Sequence, residues 1–190
     1  MRKGKKALII IIILIVLLVV LFNVLKVQNR ILEIIYPIKY NNFVELYAKE
    51  YQVDEYLIYA LIKAESNFNP EAVSGKEAKG LMQLVTSTAC DVARNLGLNL
   101  TEEEVEEKLL NVDFNINLGT KYLSILLEKY ESIELALTAY NAGIGTVNNW
   151  IEEGTIKDDG SDVENIPYKE TNQYVRKILR DYDIYQKLYS

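Results

Sequence analysis

A chain of 190 residues, 49% of them hydrophobic and 25% charged, has room for one globular domain plus an appendage, and its composition does not fit disorder. It holds no histidine and a single cysteine, Cys90, which excludes serine–histidine–aspartate and cysteine–histidine triads, histidine-based zinc sites and an intrachain disulfide. The formal charge of −6 conceals four cations at the extreme N-terminus, Arg2, Lys3, Lys5 and Lys6; the remainder is more acidic still and offers no basic stripe to nucleic acid.

Residues 1–6 therefore read as a basic tail. Residues 7–25, ALIIIIILIVLLVVLFNVL, contain one polar side chain, Asn23. As a helix this run spans about 28 Å, close to the ~30 Å thickness of a bilayer core. It is apolar on every face, so it has no side to turn to water. The cations before it should stay in the cytoplasm, which puts everything after Leu25 on the outer side of the membrane. A cleaved signal peptide is the competing reading. The apolar run is longer than an ordinary signal core, and no small-x-small site follows it. The expectation is an uncleaved single-pass anchor, a short linker over residues 26–35, and a folded domain over residues 36–190.

The rest of the chain reads as helices, with no alternating strand pattern of useful length. Pro37 breaks a short apolar lead-in over residues 31–36. A helix is expected over 40–50, with Phe43, Leu46 and Tyr47 on its inner face. Asp54 is placed to cap a second helix, YLIYALIKAES, whose apolar face holds Leu57, Ile58, Leu61 and Ile62. A third is expected from Leu81 to Leu96, stopping at Gly97. Thr101 and Glu104 form a capping box for TEEEVEEKLL. Asp113 or Asn115 should open a longer helix through Tyr130. Residues 132–141 and Val147 to Ile151 follow. Residues 152–166 are polar with two glycines, hence a surface loop or flap. The last helix, about 170–188, carries Tyr174, Ile178, Tyr182 and Tyr185 at helical spacing. The class is all-α.

Glu65 is the position that suggests chemistry. It lies four residues after Leu61 and three after Ile62, so it continues the inner face of its helix. A carboxyl at the end of an apolar stripe is desolvated, and desolvation raises its pKa. A carboxyl raised in this way keeps a proton near neutral pH and can give it to a poor leaving group such as a sugar alkoxide. An ordinary glutamate at a helix end shows the same pattern, so the position alone assigns no role. Two further segments bear on it. Gly80-Leu81-Met82-Gln83 has a glycine where backbone, ligand or another helix can come close. Ala139-Tyr140-Asn141-Ala142-Gly143 offers a ring and an amide beside small residues, a combination suited to N-acetyl sugars.

Taken together, the motifs resemble one family. In order they are Glu65-Ser66-x-Phe68-x-Pro70-x-Ala72-x-Ser74, Gly80-Leu81-Met82-Gln83-Leu84, Thr88-Ala89, and Asn115-Ile116-x-x-Gly119-x-x-Tyr122-Leu123. They continue with Ala139-Tyr140-Asn141-Ala142-Gly143 and Ile166-Pro167-Tyr168-x-Glu170-Thr171-x-x-Tyr174-Val175. From about Tyr36 to Tyr185 the chain is similar to the catalytic domain of soluble-lytic-transglycosylase-type enzymes, a lysozyme-like all-helical fold. The resemblance implies a lytic transglycosylase that cleaves the MurNAc–GlcNAc bond of peptidoglycan without water and leaves 1,6-anhydro ends. It implies Glu65 as acid and then base. Ser74, Met82 and Gln83 would line the cleft, with Tyr140 and Asn141 at the reacting sugar and Glu170 contacting substrate from the C-terminal side. No cofactor or metal is implied.

Two other readings stand beside this one. A hydrolytic lysozyme would use Glu71 or Asp91 as a second carboxylate. A non-catalytic wall-binding module would have no need of Glu65. The chain also departs from the family pattern at three places. Glu77 stands where glycine is usual, which adds a charge beside the cleft. Ser87 stands where proline is common, and Asn172 where arginine is frequent.

Overall fold

The computed structural model describes residues 14, 17, 18, 20–22, 26–28 and 30–190. The chain divides into two compact units, Met1–Pro37 and Ile38–Ser190. In the first, the described residues as far as Ile35 are helical, and Leu14, Leu17, Leu18, Val20, Leu21 and Phe22 are exposed. The expected membrane span, residues 7–25, otherwise lies outside the described residues, among which no helix is long and apolar enough to cross a membrane.

The second unit is all-helical among the described residues, with two isolated bridges and no strand. Helix α1 is Asn41–Tyr51. It buries Val44, Tyr47 and Ala48, whereas Leu46 is exposed. The inner face therefore follows the i, i+3, i+4 set from Val44 and not the Phe43-Leu46-Tyr47 set expected. Its tyrosines reach helix α5, Val112–Tyr130: Tyr47 donates to Asp113 Oδ1 and Tyr51 to Asn117 Oδ1, each at 2.6 Å. Asn111, rather than Asp113 or Asn115, caps α5 by accepting from the Phe114 N–H.

Helix α2, Glu55–Ser66, is capped by Asp54, which accepts from the Tyr56 N–H at 2.8 Å. Leu57 through Ile62 are all buried, so α2 has no solvent face along its middle and is the central helix of the unit. It ends at Asn67 in the left-handed region (φ 50°), and its last turn carries Glu65. The C-terminal helix α8, Lys169–Tyr189, packs along α2, with Tyr185 stacked on Tyr59 at 5.7 Å between ring centroids. Asp181 is fully buried in this contact, held by Arg180 Nη2 at 2.7 Å, with Lys63 Nζ at 3.7 Å.

The third expected helix is shorter than its apolar pattern suggests. Helix α3 is Thr86–Asn95, with Ser87 exposed in its first turn. Residues 72–84 form a turn structure held by the Val73–Lys79 and Lys79–Leu84 bridges. Left-handed backbone at Gly80 (φ 75°) and Gln83 (φ 47°) stops a helix from running through the segment. Buried backbone groups still need partners, and Asn115 of α5 supplies them. It accepts from the Met82 N–H at 2.8 Å and donates to the Lys79 and Leu109 carbonyls at 3.0 and 2.8 Å. A Cβ on Gly80 would lie 2.4 Å from both Asn115 Nδ2 and the Leu109 carbonyl, so glycine is required there.

Helix α4, Glu102–Lys108, opens with the expected capping box of Thr101 and Glu104. Helix α6 is Ile133–Ala142, capped by Ser132, and α7 is Ile144–Glu152. The loop that follows is pinned rather than loose. Ile156 and Ile166 are buried, Asp162 accepts from the Lys157 N–H, and Asn172 of α8 donates to the Val163 carbonyl at 2.5 Å. Asn172, one of the three departures from the family pattern, thus ties the loop to α8.

Candidate active site

The ends of α2 and α6, the 74–85 turn segment, the start of α3 and the start of α8 enclose a cleft of about 640 Å³. Glu65 borders it from the last turn of α2. Ser74, Gln83, Tyr140, Asn141 and Glu170 border it as well. Met82 does not: its side chain is fully buried beneath the turn. A Cβ on Gly119 would meet Met82 Sδ at 2.3 Å, so the absent side chain of that glycine makes the space that Met82 fills. Met82 contributes its backbone, whose carbonyl accepts from the Tyr140 O–H at 2.8 Å.

Glu65 is half-buried, and the Tyr174 O–H of α8 donates to its Oε1 at 2.5 Å. Burial raises the Glu65 pKa to about 7, against the opposing pull of the Tyr174 hydrogen bond and the nearby Lys177 charge. At neutral pH the carboxyl is therefore divided between its proton-donating and proton-accepting forms. This is the condition for one group to serve as acid and then base. The same site holds both tyrosines firmly in the phenol form. Burial, then the charge of Glu65, push the Tyr140 and Tyr174 hydroxyls well above their ordinary range. Tyr140 is further fixed by its ring contact with Tyr122, 5.1 Å between centroids.

The remaining polar groups are held by local bonds. Gln83 donates its amide to the carbonyls of Ala72 and Gly80 at 3.1 and 2.9 Å, which leaves its amide oxygen as the acceptor at the cleft. Ser74 Oγ accepts from the Lys76 and Ala78 N–H groups, so its first task is to staple the turn. Asn141 Oδ1 accepts from Thr171 Oγ1 at 2.7 Å, which joins the end of α6 to α8. Glu170 is exposed at the cleft edge. Neither Glu71 nor Asp91 borders the cleft, and Asp91 pairs with Arg94 at the surface. Among the described residues no group of three or more His, Cys, Asp or Glu is placed to hold a metal ion.

The sequence reading missed Tyr174 as a site residue. Its place in the stripe with Tyr182 and Tyr185 reads as core or groove wall, which leaves it without a role at the acid, and Tyr185 is indeed buried. Tyr182, by contrast, bonds to Asp54 at the start of α2. The signal that separates Tyr174 from its neighbours is its position one turn after Glu170, which borders the cleft; Tyr174 itself does not border it and reaches the site through its bond to Glu65.

Comparison with known proteins shows the family. Residues 42–162 match the transglycosylase SLT domain family. The chain belongs to that family. It is 32% identical to the soluble lytic murein transglycosylase of Salmonella typhimurium over 158 residues, 82% of this chain and 24% of that protein. It is 41% identical to the membrane-bound lytic murein transglycosylase C of Shigella sonnei over 118 residues, 57% of this chain and 32% of that protein. The solved structure of lytic transglycosylase Slt from Pseudomonas aeruginosa, an inactive mutant with glutamine in place of a glutamate, superposes with a TM-score of 0.72 at 35% identity. That superposition covers 83% of this chain and 25% of the other. The chain thus spans about a quarter to a third of the length of these relatives.

The Glu77 departure has a measurable cost. Glu77 sits at φ 60°, in the left-handed region that costs a residue with a side chain about 1–2 kcal/mol relative to glycine. Its side chain does not border the cleft. Glu77→Gly should raise the midpoint of denaturant unfolding by an amount equivalent to about 1 kcal/mol, reduced by the extra freedom of glycine in the unfolded chain. An unchanged or lowered midpoint would show that the turn tolerates glutamate without strain.

Proposed function

We propose that this protein is a peptidoglycan lytic transglycosylase in which Glu65 is the single acid and base. The observation that carries the reading is a half-buried carboxyl, raised to about 7, at the wall of a sugar-sized cleft in a chain of the SLT family. Protonated Glu65 gives its proton to the oxygen between MurNAc and GlcNAc as the C1–O bond breaks. Positive charge develops at C1, supported by the N-acetyl group of the same MurNAc. The C6 hydroxyl of that sugar attacks C1, and the Glu65 carboxylate takes the hydroxyl proton. No water enters, and the acid is regenerated. The internal hydroxyl prevails over water by proximity.

Tyr174 orients the carboxyl through Oε1, and Tyr140 and Gln83 contribute the fixed polar groups near it. A hydrolytic route through Glu71 or Asp91 loses its support, because neither residue reaches the cleft. The mass of the released muropeptides decides between the two chemistries. Anhydro ends, one water lighter than reducing ends, are the expected products, and reducing ends alone would make the enzyme a hydrolase.

The reading extends to location. The apolar run over residues 7–25 and the cations before it support an anchor that holds the catalytic domain on the outer face of the cytoplasmic membrane. The similar protein from Shigella sonnei is described as membrane-bound.

A further inference from the structure

Among the described residues that border the cleft, one is a cation, Lys76. The turn that carries it is stapled at four points. Ser74 Oγ accepts from the N–H groups of Lys76 and Ala78 at 3.2 and 3.1 Å, the Ser74 N–H donates to the Ala78 carbonyl at 2.9 Å, and the Glu77 N–H donates to the Ser74 carbonyl at 3.0 Å. Lys76 is exposed and, among the described residues, forms no ion pair, unlike Lys79, which is committed to Glu106 at 2.6 Å. The adjacent Glu77 is exposed but does not border the cleft. A fixed backbone thus presents a solvated ammonium to the substrate space of a protein that is otherwise acidic.

We propose that Lys76 is a substrate-selecting residue, its ammonium taking a carboxylate carried on the side substituent of the glycan strand. The inference rests on the function proposed above and names the part of the substrate that the acid does not touch. A bare N-acetylglucosamine polymer has no carboxylate. A MurNAc-containing strand has one on its lactyl group, and peptide-bearing strands have more on the stem. The contact is exposed, so its effect on affinity is about two- to five-fold. It should fade at roughly 0.5 M salt, where the screening length is a few ångströms.

The test measures binding of the full chain in a non-cutting Glu65→Gln background, by calorimetry at low and high salt. The three ligands are neutral GlcNAc oligomers, MurNAc–GlcNAc strands stripped of peptide, and strands with their peptides. The expected result is tighter binding of one or both anionic ligands than of the neutral oligomer. That preference should be lost in Lys76→Gln and kept in Lys76→Arg, with neutral-oligomer affinity unchanged throughout. A preference that begins with the stripped strand assigns the contact to the lactyl carboxylate; one that begins only with the peptide-bearing strand assigns it to the stem. Equal ligand ratios in Lys76→Gln and its parent, or no preference in the parent, would overturn the proposal. Product release by the unaltered protein is scored separately, so a protein that selects anionic strands without cutting them would overturn the catalytic reading and leave this one standing.

Discussion

Glu65→Gln should reduce the release of anhydro-muropeptides by about 10²–10⁴-fold, the contribution typical of a positioned general acid, and leave binding of glycan strands nearly intact. Glutamine matches the shape of the carboxyl and still accepts from the Tyr174 O–H at Oε1, but it has no acidic proton to give. The same substitution should stabilise the fold in a pH-dependent way. The folded-state pKa of Glu65 is raised to about 7 from an ordinary 4.5, so the folded protein binds this proton more tightly than the unfolded chain does. Stability from this group is present in full below about pH 4.5, declines as pH rises between the two values, and is lost above about 7. The variant lacks that decline. Its melting temperature should therefore gain on the unaltered protein between pH 4.5 and 7 and keep the lead above. Cutting that survives in Glu65→Gln would remove the acid from the mechanism. A melting difference that does not change with pH would show that the carboxyl carries no desolvation penalty.

The inner-face position of Glu65 was legible in the sequence because its signal is local; its role there came only from the resemblance. Three and four residues separate Glu65 from Ile62 and Leu61, and helical geometry alone puts the three on one side. The caps at Asp54 and Thr101 were legible for the same reason. What escaped the reading depends on partners far along the chain. The segment from Leu81 to Val85 has the apolar content of a helix start, yet Asn115, 33 residues after Met82, takes the Met82 N–H and the Lys79 carbonyl and helps to hold a turn instead. Met82 reads as a cleft residue by its place in the motif. The missing side chain at Gly119, on another helix, draws it into the core. Glu77, expected beside the cleft, is exposed between two residues that border it and does not border it itself, which leaves Lys76 as the charged member of the turn on the cleft wall. The local pattern could not say which distant neighbour would meet each of these residues.

Tyr174 is the clearest instance, since 109 residues separate it from the carboxyl it holds. Tyr174→Phe removes one oxygen and keeps the ring. The hydroxyl hydrogen bond favours the ionised carboxyl and so pulls the Glu65 pKa down, against the larger effect of burial. Without it the pKa should rise. Since the first step needs protonated Glu65, kcat/KM of the unaltered enzyme should fall as pH rises through about 7. In Tyr174→Phe that fall should move to higher pH. The rate on the acid side of the profile should drop by about 10- to 100-fold, because a carboxyl free to rotate spends less time aimed at the glycosidic oxygen. Lys177 also lowers the Glu65 pKa, and Tyr140 and Tyr122 stay protonated phenols over this range, so Lys177 is the group whose charge could imitate the shift. Lys177→Met therefore serves as the comparison: it should move the fall in the same direction without the loss of rate, since it breaks no bond to the carboxyl. A profile of kcat/KM from about pH 5 to 9 for the three proteins reads both effects. If Tyr174→Phe loses rate with the fall still centred where the unaltered enzyme has it, Tyr174 is a packing residue, and the orientation of Glu65 comes from the helix end alone.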